Sequence, residues 1–439
     1  MYEILLLNIY VLHILIHIII YIIINNQDQM SINNILIKKI TLTVLFLSIA
    51  RLGIFIPIPG IDHDAFYNAI GNNTLVNFLN IFSGGGFSTI GVFALGIVPY
   101  INASLVIQLL SKIIPQLEKL QKDEGELGRQ KVIQITRYLT LVWAIIQSIA
   151  ISIWIKPYVF HWNIQFLSDI VLSLTTGSMI VMWLSEIITE KGIGNGASLL
   201  IFQNIVSGIP QQIKTSINMN DKEILLKIFL LCFLFTLMLV ITVLIQEGIR
   251  KISIVSVRQL VKKNELNPQS YLPLKLNQGG VMPIVFASAS MTLPSYLKEM
   301  TNSTTLQQIG NLFVNNSPLY MLTYGASIVA FSYFYASLIL NTNEISLNLK
   351  KMGASIPNIR PGEETSMFLT KIINRLTLLG SIFLFIVALV PSIISKITQL
   401  NTFQGLGATS LLILVGVAID TAKQIQTYII SEQYESLMK

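Results

Sequence analysis

Long apolar stretches recur along the chain, separated by short polar segments. Their length is the first clue, since roughly 20 apolar residues cross a hydrocarbon core ~30 Å thick as a helix. Such stretches run Ile4–Ile24, Ile40–Ile56, Val92–Leu110, Val132–Ile155, Ile170–Ile188, Ile224–Ile245, Val281–Leu297, Leu319–Leu340, Leu376–Val390 and Gly405–Ile419, with a shorter one at Ala197–Ile209. From residue 31 onward they make ten spans, five on either side of the polar segment Gln211–Asp221. The pattern predicts an all-α polytopic membrane protein. Its ten core transmembrane helices would form two five-helix halves, residues 31–212 and 213–439, around a central pore. The first stretch, residues 1–30, stands apart as an apolar N-terminal extension. It has neither a basic region before it nor a small-residue cleavage site after it, so it is a poor signal peptide. It is either an extra membrane helix or lies upstream of a start at Met30.

Three spans are unsuited to facing lipid. The second carries Pro99, Asn102 and Gln108; the fifth follows Gly192-Ile193-Gly194-Asn195-Gly196; the seventh begins Gly279-Gly280 and contains Pro283 and Pro294. Broken or polar helices at membrane depth survive against protein or a water-filled cavity, so these three are expected to line the interior. The competing reading is that small and polar residues simply join helices together.

Composition agrees with a bilayer setting. Hydrophobic residues make up 53% of the 439 and charged residues 12%, against about 25% charged in a soluble domain. The lone Cys232 excludes a disulfide framework or CxxC metal site. Net charge is +7, and the loops 111–137, 247–280 and 341–375 hold most of the Lys and Arg, which predicts that they face the cytoplasm or stroma. Charges well inside the spans are few, and Arg51 is the clearest.

The chemistry of enzymes and pumps is missing from the sequence. There is no GxxxxGK[ST] loop to cradle phosphate, and Gly84-Gly85-Gly86 is followed by Phe87-Ser88-Thr89 without a lysine. HExxH is absent, and His13 with His17 offers two ligands without a third. The cluster Asp62-His63-Asp64 reads as a solvated turn after Pro57 and Pro59. No catalytic residue, metal or cofactor is therefore assigned. A secondary transporter of a small solute is the alternative function, but it should place charged groups or half-helix ends near the midplane, and none is seen.

Several strings are distinctive. They include Ala50-Arg51-Leu52-Gly53, Ile56-Pro57-Ile58-Pro59-Gly60-Ile61-Asp62, Phe82-Ser83-Gly84-Gly85-Gly86, and Phe93-Ala94-Leu95-Gly96-Ile97-Val98-Pro99-Tyr100-Ile101 followed by Ala103-Ser104. Further along come Ile188-Thr189-Glu190-Lys191-Gly192-Ile193-Gly194-Asn195-Gly196, Ile359-Arg360-Pro361-Gly362-Glu363-Glu364-Thr365 and Gln433-Tyr434-Glu435-Ser436. In this order, from about residue 36 to the C-terminus, they resemble the SecY family, the central subunit of the Sec protein translocon; residues 1–30 fall outside the resemblance.

The resemblance implies a protein-conducting channel with three working parts. A pore ring of apolar side chains would come from Ile97, Ile101, Ala197, Ile201, Val285 and Ile413, with Ala197 smaller than the family pattern suggests. A plug around Ile81–Gly91, including Phe82, Ser83, Gly84, Gly85 and Gly86, would close the resting channel. A lateral gate between helices 2–3 and 7–8 would release apolar segments into lipid, with Gln108 at the matching polar position. The resemblance also implies a SecE-like small subunit, while the basic residues Arg250, Lys251 and Arg360 are either topology-setting charge alone or a docking surface for a SecA-type motor ATPase or a ribosome. Preproteins would be the substrates. Abundant Ile and Asn with few Ala point to an AT-rich genome and a plastid thylakoid membrane, with a bacterial inner membrane as the alternative.

Physical chemistry makes these parts sensible. An apolar ring offers water and ions no hydrogen bonds, so it resists leakage by dewetting while gripping no passing side chain. Successive glycines cost a helix roughly 1 kcal/mol each relative to Ala, which keeps a plug easy to displace. At the bilayer centre Leu, Ile, Phe or Val gains roughly 0.3–0.6 kcal/mol and Asp, Lys or Arg loses about 2.5–3.5, so an apolar segment sampling lipid leaves the channel.

Overall fold

The computed structural model describes residues 33–70, 83–122, 125–216, 224–256, 271–280, 282–284, 286–287, 290, 318–398 and 408–438. The extension 1–30 and Val285 therefore lie outside the described residues. The chain separates into two compact units, residues 1–217 with 417–439, and residues 218–416.

In the first unit the helices are α1 (Asn33–Ile54), α2 (His63–Ile70), α3 (Gly86–Thr89), α4 (Val98–Ile113), α5 (Pro115–Lys122), α6 (Gly125–Ile155), α7 (Ile164–Lys191) and α8 (Gly196–Ser216). Helix α6 shows how a membrane helix inverts the usual pattern. Along its middle, the buried positions Thr136, Thr140, Ala144, Ser148 and Ser152 are small and recur every fourth residue. Large apolar residues such as Ile146, Ile149 and Ile153 are exposed on its other faces. Small residues let helices approach, and lipid covers the rest. The hydroxyls are satisfied locally: Thr140 Oγ1 donates to the Thr136 carbonyl at 2.7 Å, and Ser148 Oγ lies 3.2 Å from Thr175 Oγ1 of α7.

A second core seals the predicted outer end of this unit. Ile58, Ile61, Phe66, Phe87, Ile90, Ile155, Ile170 and Leu174 pack together. Phe66 stands edge-on to Trp154 and Tyr158, with ring centroids 5.6 and 5.4 Å apart. Here the cluster Asp62-His63-Asp64 begins α2, and the Asp62 carboxylate accepts the Ala65 N–H at 3.0 Å as a helix cap.

The second unit contains α9 (Ile224–Gln246), β1 (Ile249–Ser253), β2 (Val255–Ser256), β3 (Tyr271–Lys275), α10 (Pro318–Ile339), α11 (Thr342–Lys351), β4 (Ala354–Ser355), α12 (Glu363–Thr398) and the start of α13 (Ala408–Met438). Helix α10 lies against α12, and Gly325 permits the approach, because a Cβ there would stand 2.5 Å from the Phe385 ring. The loops after α9 and α11 hold short strands that the hydropathy pattern does not announce. Strand β1 pairs antiparallel with β3, with Ile249 opposite Lys275, and β2 pairs with β4. Among the described residues, Gly125–Tyr158, Ile164–Lys191, Met321–Lys351 and Glu363–Val390 are long and apolar enough to cross a membrane, and Val98–Ser111, Gly196–Gly208 and Thr236–Gln246 are shorter apolar helices.

Candidate functional site

The apolar run Val92–Leu110 is not one helix. Residues 92–97 form successive turns, and α4 begins at Val98 with Pro99 in its first turn, where a missing N–H costs nothing. Gly96 takes a φ of 54°, which a side chain resists, so the chain breaks just before Ile97. A broken backbone at this depth needs protein partners. They come from α7: Ser178 Oγ donates to the Gly96 carbonyl at 3.2 Å, and a Cβ at Gly177 would fall 2.0 Å from the Val92 carbonyl oxygen.

The break delivers Ile97 to the head of α4, fully buried. Its neighbours form an apolar cluster of Ala50, Ile54, Phe93, Ile97, Val181, Leu184 and Leu200, against which Ile101, Ala197 and Ile201 pack half-buried. Four of the six proposed ring residues thus share one cluster. Each pair, Ile97 with Ile101 and Ala197 with Ile201, is spaced i,i+4 and so lies on one helix face. Ile413 is on α13 in the second unit and is also buried.

Ala197 and Ile201 are held in place by the turn that precedes them. Asn195 Oδ1 accepts the Ala197 N–H at 3.1 Å, Thr189 Oγ1 accepts the Gly196 N–H at 2.8 Å, and Thr43 Oγ1 of α1 accepts the Ile193 N–H at 3.1 Å. Gln424 Oε1, on the C-terminal part of α13, accepts the Gly194 N–H at 2.9 Å. The glycine-rich run is therefore a turn held by side-chain acceptors from α1, α7 and α13, with Gly194 at a φ of 86°. Gly196 sits so close to α7 that a Cβ would stand 2.0 Å from the Ser185 carbonyl oxygen.

Beside the cluster lies the second glycine run. Phe82 falls outside the described residues. Gly84 and Gly85 take φ values of 64° and 88°, and Gly86 opens the short α3. Buried Ser83 Oγ accepts the Phe87 N–H at 3.1 Å. Beyond it, Phe87 and Ile90 enter the outer core, and Phe87 stacks on Trp154 with centroids 5.7 Å apart. Gln108 is on the exposed side of α4, where its Nε2 donates to Ser104 Oγ at 3.3 Å.

The basic candidates stand on the second unit. Arg250 and Lys251 project from β1, opposite Leu274 and Pro273 of β3, and both are exposed. Lys251 Nζ lies 4.9 Å from the centre of the Tyr271 ring. Exposed Arg360 begins a turn whose backbone is fixed: its N–H donates to Glu364 Oε2 at 3.3 Å, and its carbonyl accepts the Thr365 hydroxyl at 2.8 Å. Both segments rest on one apolar cluster, which includes Ile252, Leu274, Ile356, Leu369, Ile372 and Ile373, with Ile359 packed against it. Among the described residues no group of three or more His, Cys, Asp or Glu could hold a metal ion.

Sequence reasoning did not single out Gly177, Thr43 or Gln424. Each acts across a distance along the chain that leaves no local pattern.

The SecY family profile matches residues 91–422. Protein translocase subunit SecY of Porphyra purpurea is 65% identical over 403 residues, covering 92% of this chain and 98% of that protein. The same-named subunit of Synechococcus elongatus is 51% identical over 412 residues, covering 91% and 94%. Two solved structures share the fold. One, described as the structure of a protein conducting channel, has a TM-score of 0.57 at 17% identity and covers 91% of this chain and 94% of its own. The other, Sec61 in the canine ribosome-channel complex, has a TM-score of 0.55 at 17% identity, again covering 91% and 94%.

Proposed function

The chain belongs to the SecY family, is a multi-pass membrane protein and a translocase channel subunit rather than an enzyme, and we propose that it conducts unfolded preproteins through an apolar ring closed by a glycine-rich plug. The observation that carries this reading is the clustering of Ile97, Ile101, Ala197 and Ile201 beside the Ser83–Gly86 turn. Two side-chain pairs from different helices, each at the start of a helix that follows a break, form an apolar collar. Val285 and Ile413 are assigned to the same ring on the family resemblance alone. Ten core helices in two halves, 31–212 and 213–439, enclose the path, and Gln108 marks the lateral gate.

Resting closure follows from the chemistry of the collar. Water and ions gain nothing by entering it, while a translocating chain meets side chains with no preference for its sequence. Directionality comes from outside, from a SecA-type motor or a ribosome docking on Arg250, Lys251 and Arg360. Those cations are exposed on a rigid base, which suits contact with RNA phosphate or an acidic protein face. A SecE-like subunit clamps the halves. Relatives from red algal plastids and cyanobacteria support the thylakoid membrane as the site of action.

The test is reconstitution in proteoliposomes. Motor-dependent import of an unfolded preprotein supports the channel. Saturable uptake of a small solute with no protein import would overturn it in favour of a transporter.

A further inference from the structure

Arg51 is a charge within a predicted span, and such a charge is costly unless it serves something. It sits in the last turn of α1, where its Nη1 donates to the Gly84 carbonyl at 2.6 Å, across 33 residues of sequence. The guanidinium lies 5.0 Å from the centre of the Phe55 ring, and its Nε is buried without a hydrogen bond. A Cβ at Gly84 would stand 2.7 Å from that Nη1 and 2.6 Å from Asn204 Oδ1, so a side chain there would crowd the guanidinium.

The far end of the same segment is held by main chain instead. Val92 N–H donates to the Ile56 carbonyl at 2.9 Å and Ile58 N–H to the Ile90 carbonyl at 3.2 Å. Gly91 fits so tightly that a Cβ would fall 2.2 Å from the Ile54 carbonyl oxygen. Phe87 and Ile90 are sunk in the outer core. Between the two ends, Gly85 has a φ of 88° and open space where a side chain would point. One end is riveted by main chain. At the other, Ser83 Oγ accepts the Phe87 N–H and Thr89 Oγ1 lies 3.5 Å from the Gly85 carbonyl within the segment itself, while Arg51 holds it from α1, beside two residues of unusual backbone freedom.

We propose that Arg51 is a positioning residue for the seal: it holds the Ser83–Gly85 turn seated in the resting channel, and the Arg51–Gly84 bond breaks to release that turn while residues 86–91 stay fastened to the end of α1. The trigger is chemical. A translocating polypeptide presents backbone carbonyls, the same acceptor that Gly84 offers, so an incoming chain substitutes for the plug at the guanidinium. The inference rests on the reading of this segment as the plug.

Ser83 is 2% exposed when the turn is seated, so a cysteine there reports release. In a Cys232→Ser background carrying Ser83→Cys, the full chain in proteoliposomes is treated with a membrane-impermeant maleimide. Arg51→Met should speed labelling about tenfold, the loss of one charged hydrogen bond partly offset by rearrangement, with Arg51→Lys intermediate. Loading the otherwise unchanged channel with an arrested preprotein should speed it likewise. If loading speeds labelling but neither Arg51 variant does, the latch is overturned and the plug reading stands. If loading leaves labelling unchanged, the plug reading itself falls. A cysteine at buried Ser148 supplies the structural control, and faster labelling there in Arg51→Met would reduce Arg51 to a fold-holding role and overturn the proposal.

Discussion

Gly177→Ala adds one methyl group where the geometry has no room for it. The new Cβ would lie 2.0 Å from the Val92 carbonyl oxygen and 2.8 Å from its carbon, both main-chain atoms. Ordinary van der Waals contact begins near 3.4 Å, so α7 and the broken stretch before Ile97 must separate by about 1.4 Å locally. Overpacking of this kind costs roughly 1–3 kcal/mol. The separation also stretches the Ser178–Gly96 hydrogen bond, now 3.2 Å, and losing a buried bond of this type costs about 0.5–1.5 kcal/mol more. The total, about 1.5–4.5 kcal/mol, falls on the segment that presents Ile97 and Ile101. The variant should melt at lower temperature, and substrate-free conductance across planar bilayers should rise, because the proposed collar loses its fit. Thr176→Ala, one residue away on the exposed side of α7 with its hydroxyl bonded within its own helix, should do neither. A Gly177→Ala protein with unchanged melting and conductance would refute the claim that the α7 contact sets the position of the ring.

Other outcomes follow from the same geometry. Ile97→Asn places an amide at a fully buried apolar position, at about 1–3 kcal/mol if unpaired, and should admit ions and preproteins with defective signal sequences; stringency and leak assays check it. Arg360→Glu reverses a charge on a turn where residue 360 contributes only its main chain, to the Glu364 carboxylate and the Thr365 hydroxyl, so motor-driven import should fall severalfold while membrane insertion and melting stay normal. Thr43→Val keeps the shape but strips the acceptor from the Ile193 N–H, and should lower the melting midpoint by an amount matching about 1–3 kcal/mol, with the turn before α8 becoming more open to proteolysis.

The sequence announced some of this site and concealed the rest for identifiable reasons. Hydropathy located the apolar runs that become α4, α6, α7, α8 and α12, because lipid imposes a length that soluble helices need not meet. It placed the start of the second span six residues early, at Val92 instead of Val98, since average apolarity does not register a φ of 54° at Gly96. Pro99 was the visible hint of that break. The glycines at 84–86 stood out as poor helix formers, but their use is conformational, with positive φ at Gly84 and Gly85. Arg51 was conspicuous as a charge, whereas its acceptor is a backbone carbonyl 33 residues away, and a carbonyl has no sequence signature. The β1–β3 pair escaped because five-residue strands containing Arg250, Lys251 and Pro273 show no clean alternation.

The apolar base beneath Arg250, Lys251 and Arg360 has a consequence for how damage to this protein would be interpreted. In the docking role proposed for them, cations whose backbone is fixed in advance would lose less freedom when a large assembly lands on them. Their usefulness then depends on residues that never meet that assembly, such as Leu274 and Ile356. Trimming either of these to alanine would leave every charge in the chain intact. Such a lesion would nevertheless present genetically as a failure of coupling to the driving machine, tracing a docking defect to the hydrophobic floor underneath it.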